Sequence, residues 1–187
     1  MKQAITNARI AFPDLYEAKA FEGGNPRFGA TFILDPEKSK DLIAEIKANM
    51  AVVAKEKWGA KADGIMKTLA STGKLCLRDG NDKTEYDGFE NMMYITAGRN
   101  AKDGPPKVID RNRADLTADS GKPYGGCVVN ASIEIWAQDN KFGKRMNAQL
   151  RGVQFVADGD AFSGSAPATA DEFEELEAVE GDVNELF

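Results

Sequence analysis

Residues 124–156 read YGGCVVNASIEIWAQDNKFGKRMNAQLRGVQFV, and the middle of that stretch decides the fold. Cys127, Val129, Ala131, Ile133 and Ile135 recur at every second position, with Asn130, Ser132, Glu134 and Trp136 between them. A period of two puts the first set on one face of a strand and the second on the other. DNKFGK (139–144) then reads as a hairpin connection, and RMNAQLRGVQFVA (145–157) as the partner strand.

Upstream, AITNARIAF (4–12) and RFGATFIL (27–34) predict two further strands around the turn EGGNP, and KLCLRD (74–79) and NMMYITAGRN (91–100) predict two more. DPEKSKDLIAEIKANMAVVAKEKWG (35–59) predicts a helix. Asp35 is placed to be its N-cap, Pro36 to open it, and Gly59 to stop it, with Leu42, Ile43, Ile46, Met50 and Val53 on one face. A shorter helix carries Ile65, Met66 and Leu69. Residues 99–126 hold no sustained period and read as one long loop, of the kind that is functional or mobile. Five or six strands, one good helix and long loops predict a mainly β protein: an OB-fold-like antiparallel β-barrel with an inserted helix. The expected organisation is a barrel domain over residues 1–157, followed by a flexible linker and disordered acidic tail over 158–187, with no internal repeat.

The composition, 42% hydrophobic and 29% charged over 187 residues, suits a single core. No run of about 18 apolar residues exists, so no membrane partner is expected. MKQAITNARIAF lacks a signal-peptide stretch, which points to the cytoplasm. Cys76 and Cys127 lie in apolar strand runs and read as buried free thiols. The chain has no histidine, which excludes Ser-His and Cys-His pairs and His-containing zinc sites. No catalytic residue, metal or cofactor is expected.

Two local motifs fail on inspection. ASTGKL (70–75) has Thr68 where a phosphate-binding loop needs its first glycine, and Leu75 where it needs Ser or Thr. PDLYEAK (13–19) is similar to a carboxylate–lysine nuclease signature built from Asp14, Glu17 and Lys19, but the two carboxylates are three residues apart and share one strand or turn. A shared Mg²⁺ requires carboxylates that converge from separate elements. A metal-dependent nuclease is therefore the minor alternative.

The net charge of −6 hides two opposed parts. Residues 1–157 carry all 24 Lys and Arg and a net charge of +4, while residues 158–187 carry ten acids and no base. Within the body, one basic stretch holds Arg99, Lys102, Lys107, Arg111 and Arg113, and a second holds Lys141, Lys144, Arg145 and Arg151. Tyr94, Tyr124, Trp136 and Phe142 flank or interrupt them. Trp136 falls on the polar face of its strand, where an indole either stacks on a ligand or is covered by another element. Cations that neutralise phosphates, together with aromatic faces on strands, are what single-stranded nucleic acid requires. These residues are the candidate DNA-binding set.

At Tyr124, Gly126, Cys127, Val129, Asn130 and Ala131, and again in GKRMNAQLRGVQF (143–155), the chain resembles a family of tailed-phage single-stranded DNA-binding (helix-destabilising) proteins with members in enterobacterial phages. AFPDLYEAKAF (11–21) fits as well, and the likeness covers most of residues 1–165. The resemblance implies an OB-fold and sequence-independent binding to single-stranded DNA during phage replication or recombination, in the cytoplasm of an infected bacterium. Strand annealing is an alternative activity that could coexist with it. It also implies an acidic tail ending in a hydrophobic residue that recruits replication or recombination proteins. In DEFEELEAVEGDVNELF (171–187), Phe173, Leu176, Leu186 and Phe187 are the candidate partner-binding residues. An acidic peptide beside a basic groove competes with DNA, so duplex DNA becomes a further partner once the tail is removed.

Overall fold

The computed structural model describes residues 1–20 and 23–162. In chain order the elements are β1 (Lys2–Lys19), β2 (Arg27–Leu34), α1 (Lys40–Trp58), α2 (Ala62–Ser71), β3 (Leu77–Asp79), β4 (Met93–Asn100), β5 (Lys107–Ile109), β6 (Val128–Asn140) and β7 (Gly143–Ala157). Five of the strands close a barrel. Neighbours run β4-β2-β1-β6-β7, all antiparallel, and a parallel contact between Gly98 and Gln149 joins β7 back to β4. Short β3 extends the free side of β4, and β5 runs parallel to the end of β7.

Alternation fills the barrel, on β6 with the face that the sequence predicts. Ile5, Ile10, Phe32, Ile95, Ile133, Ile135 and Leu150 are fully buried inside it. The apolar face of α1 (Ile43, Ile46, Met50, Val53, Trp58) belongs to the same core. Polar contacts fix the helix there: Gln3 Nε2 donates to Glu45, Asn49 Nδ2 donates to Gln3, and Trp58 Nε1 donates to Asp139 at 3.0 Å. Cys76 and Cys127 are buried free thiols.

Two local expectations are corrected and a third holds. Asp35 does not cap α1. Its carboxylate accepts the Glu37 and Lys38 amides at 2.9 and 3.2 Å, capping a turn that precedes the helix, and α1 begins only after Ser39. Gly59 does end α1, at φ +56°, with its amide on the Lys55 carbonyl. The 99–126 loop is folded rather than open: it contributes β5, and Asp110 Oδ1 accepts the Asn112 and Ala114 amides in the turn that follows.

The first strand is longer than predicted, and it bends. Its register shifts between Ile5 and Ala8 against β6, and between Ala11 and Asp14 against β2. Asn7 (φ 51°) and Phe12 (φ 50°) sit at those shifts in the left-handed region. Bulges bend a strand and re-aim its side chains, and here they let one strand pair on both sides around a tight barrel.

Residues 158–162, placed in the linker by composition, lie against the barrel. Asp158 accepts from Tyr124 Oη at 2.9 Å and pairs with Lys122 at 3.1 Å. The hydrogen bond from Lys122 holds the Asp158 carboxyl below the usual carboxylate range. Arg9 donates to the carbonyls of Gly126 and Asp160, and its guanidinium lies 4.4 Å from the Phe162 ring centre. Gly126 (φ +107°) must be glycine here, because a Cβ would stand 2.3 Å from the Asp160 carbonyl.

Candidate nucleic-acid interface

The outer face of β2 and β4 carries Arg27, Gly29 and Thr31 opposite Asn100, Gly98 and Thr96. These small and polar residues leave a depression of about 510 Å³ across the barrel wall. Phe12, Asp14 and Lys19 border it from β1; Lys74 borders it from the α2–β3 connection and Arg78 from β3; Arg145 and Asn147 border it from β7. Its charged lining is five cations and one carboxylate, and that carboxylate, Asp14, pairs with Lys19 at 2.5 Å. Cations surround a floor of glycine and threonine, which suits a polyanion.

Arg27 and Gly98 form a unit. A Cβ at residue 98 would lie 3.2 Å from Arg27 Nη2 and 3.5 Å from its Cζ, so the guanidinium rests on bare backbone. Half-buried Arg78 lies 5.0 Å from the Tyr94 ring centre, and its Nε has no hydrogen-bond partner among the described residues.

An aromatic platform closes one end. Phe12 is 46% exposed and Tyr86 45%, with ring centres 5.1 Å apart at 84°. Phe89 and Tyr94 lie behind them, and the Lys83 ammonium stands 5.4–5.9 Å from the centres of all four rings. A bulky residue at positive φ is strained, and such strain collects at functional positions. At Phe12 it aims a phenyl ring out of the sheet.

The residues expected from sequence are distributed unevenly around this groove. Arg145 lines it. Trp136 is 41% exposed on the outer face of β6, beside Asn147, which also lines the groove. Phe142, 78% exposed, marks the tip of the β6–β7 turn, with Lys141 5.0 Å from its ring centre.

Tyr94 does not present a stacking face. Its ring is fully buried, because residues 80–92 fold over the outward face of β4 and Phe89 packs edge-on to it at 5.3 Å. Burial pushes its phenol up, and its hydroxyl has no hydrogen-bond partner among the described residues. Tyr124 is half-buried and occupied with Asp158.

Arg99 holds a turn, donating to the carbonyls of Gly104 and Asp103 at 2.8 and 2.6 Å. Lys107 pairs with Asp115 at 2.5 Å, Lys144 with Asp139 at 2.5 Å, and Arg151 with Glu134 at 3.1 Å. Lys107 and Arg151 meet at a separate depression, of about 430 Å³, on β5–β7–β6. Lys102, Arg111 and Arg113 are exposed on the loop around β5. Phe173, Leu176, Leu186 and Phe187 lie outside the described residues.

Sequence reading missed Phe12, Lys74, Arg78, Arg27 and Tyr86. One available signal was RFGATFIL, where Arg27, Gly29 and Thr31 alternate against Phe28, Ala30 and Phe32. Asp14 and Lys19 of the nuclease-like motif do reach the groove, as an ion pair. Among the described residues, no three Cys, Asp or Glu side chains converge as a metal site would need.

A closed barrel with a basic, aromatic-ended groove over its wall defines an OB-fold protein of the single-strand-binding kind. The chain belongs to the family of the Enterobacter phage Enc34 ssDNA-binding protein, whose model matches residues 1–184. A putative protein, p50, of Acyrthosiphon pisum secondary endosymbiont phage 1 is 44% identical over 183 residues, 96% of each chain. The bacteriophage Enc34 single-stranded DNA-binding protein, solved in complex with ssDNA, superposes with a TM-score of 0.73 at 25% identity, over 84% of this chain and 87% of that one. Gp2.5, a single-stranded DNA-binding protein encoded by bacteriophage T7, shares the fold at a TM-score of 0.54 and 16% identity, over 97% of this chain and all of that one.

Proposed function

We propose that this phage protein binds single-stranded DNA without sequence preference along the β2–β4 groove. It acts in replication or recombination of phage DNA in the cytoplasm of the infected bacterium. The observation that carries the reading is the groove itself, with Lys19, Arg27, Lys74, Arg78 and Arg145 around a glycine-floored channel and exposed rings at one end. The cations take phosphates, and Phe12 and Tyr86 take base faces. Trp136 and Phe142 extend the path past Arg145 and Asn147. Lys102, Lys107, Arg111, Arg113 and Arg151 form a peripheral field that attracts DNA without lining the groove. No helix among the described residues is long and apolar enough to cross a membrane.

The groove's net excess of four cations sets the test. Titration with oligo(dT) should give a log–log salt slope of about −3, from about −0.7 per phosphate neutralised. Binding that ignores salt refutes the reading.

The acidic tail has two roles in this proposal: it competes with DNA for the basic body, and Phe173, Leu176, Leu186 and Phe187 engage replication or recombination proteins. Deleting residues 171–187 should tighten single-strand binding at low salt and admit duplex DNA. Unchanged affinity refutes the competition. Truncating Phe187 alone should leave DNA binding intact while weakening partner capture.

A further inference from the structure

Beyond the shared wall of Phe12, the platform opens into a second, smaller cavity of about 210 Å³, whose apolar walls are Ala11, Phe12, Tyr86, Phe89 and Phe162. At the other end of the DNA path, Phe142 projects from the tip of the β6–β7 turn with 78% of its surface exposed. We infer that this cavity receives Phe142 of a second copy bound next to it on the same strand, so that successive copies touch head to tail.

The inference rests on the DNA-binding reading of the groove and adds the contact between neighbours. Its first support is shape. The cavity falls below the roughly 300–1,000 Å³ of drug-sized ligand sites, which suits a single side chain. Most of its apolar walls are aromatic rings, and an aromatic side chain seated in a pocket is the usual anchor of a protein interface. Both parts are set in place beforehand. Asn140 Oδ1 accepts the Phe142 amide at 2.9 Å and fixes the tip, while Phe12 and Tyr86 meet edge to face and Arg9 stands against Phe162. Surfaces ordered before binding lose less entropy when they bind.

The second support is position. Phe12 lines both the cavity and one end of the groove, whereas Phe142 lies beyond Arg145 and Asn147, which border the groove from β7. A strand is directional, so the copies along it face the same way. A knob at one end then meets the hole at the other in a heterologous contact that propagates without closing. Phe142 thereby carries the DNA path from one groove to the next.

The third is charge. Lys141, beside Phe142, pairs with no carboxylate among the described residues. Glu85 is exposed and lines the cavity, in a segment that also carries Asp79, Asp82 and Glu90. That end stays acidic when Lys83 and Arg9, which stand against the cavity's rings, are counted and Asp87 is left out. Lys141 of one copy therefore approaches Glu85 of the next.

Covering the exposed part of Phe142 corresponds to roughly ten- to fiftyfold in an equilibrium constant. That is too little to hold two free copies together against the entropy of association. The contact operates where a shared strand already brings the copies side by side.

The test measures binding of the full-length protein to an oligo(dT) that holds one copy, its length set by native mass spectrometry, and the cooperativity of binding to poly(dT). The variants are Phe142→Ala, Glu85→Lys, Lys141→Glu and the double reversal Glu85→Lys/Lys141→Glu, and all three side chains are exposed, so the fold is retained. The short oligonucleotide reports contact with the strand, and cooperativity reports contact between neighbours. The expected result is cooperativity of about tenfold or more in the parent, lost in Phe142→Ala, reduced by each single reversal and regained in the double reversal. A parent without cooperativity, cooperativity that survives Phe142→Ala, or a double reversal no better than the single ones overturns the head-to-tail contact while leaving the groove standing. Failure of the parent to bind the short oligonucleotide overturns both readings.

Discussion

Replacing Phe12 with alanine separates stacking from charge at the groove. The ring is 46% exposed, so truncation forfeits about half of the 1.5–3 kcal/mol that full burial of such a side chain is worth, about 1 kcal/mol. Alanine at the same positive φ relieves none of the backbone strain. For a chain of this size the melting temperature should fall by about 2–4 °C per kcal/mol, which leaves the variant folded at 25 °C. Loss of a base–aromatic stack is larger, about 1–3 kcal/mol, or five- to 150-fold in Kd. The phenyl ring carries no charge, so the salt slope should stay where it is in the parent. The assay is an oligo(dT) titration at several salt concentrations, with thermal unfolding of both proteins alongside. An affinity within twofold of the parent, or a slope that changes by about 0.7, refutes the assignment of Phe12 as a stacking residue.

Gly98→Val places a branched side chain where the Arg27 guanidinium rests, so it should weaken single-strand binding and reduce the salt slope by about 0.7, with no loss of thermal stability. An unchanged slope would show that Arg27 meets no phosphate. Burial pushes the Cys76 and Cys127 thiols up to about 11, so both should resist alkylation in the native protein at pH 8 and react once it is unfolded in urea. Because the folded values lie above the unfolded value of 9.0, the stability they contribute is complete below pH 9 and is lost as pH rises toward 11. The urea midpoint should fall across that interval. Arg9→Ala removes the guanidinium that holds residues 158–162, so chymotrypsin should cut at Phe162 several-fold faster while the barrel stays resistant.

How much of this was legible in the sequence depends on whether the signal is local. The runs at 27–34 and 127–137 predict strands, the second with its correct inward face, and the charge split predicts a basic body with an acidic end. Trp136 lies outside the barrel because alternation is a local property. The groove is not local. Arg27, Arg78, Gly98 and Arg145 come from β2, β3, β4 and β7, and only the pairing register brings them together. Contiguous basic stretches drew attention instead to Lys107 and Arg151, which the fold places on a different face in ion pairs. Tyr94 shows the limit of alternation: the strand turns it outward, and a segment 80–92 with no strand period covers it. Phe12 was hidden for a similar reason, since a bulge breaks the period that would have assigned its face.

The central claim is that DNA lies across β2 and β4 rather than on the more conspicuous basic stretches. It is tested most directly by two triple variants measured side by side in a salt-dependent oligo(dT) titration. Arg27→Ala/Arg78→Ala/Arg145→Ala should flatten the slope by about two units, whereas Lys107→Ala/Arg111→Ala/Arg151→Ala should change it by well under one. The reverse order, with the second variant losing the slope and the first retaining it, would place the DNA on the β5–β7–β6 face and contradict the account.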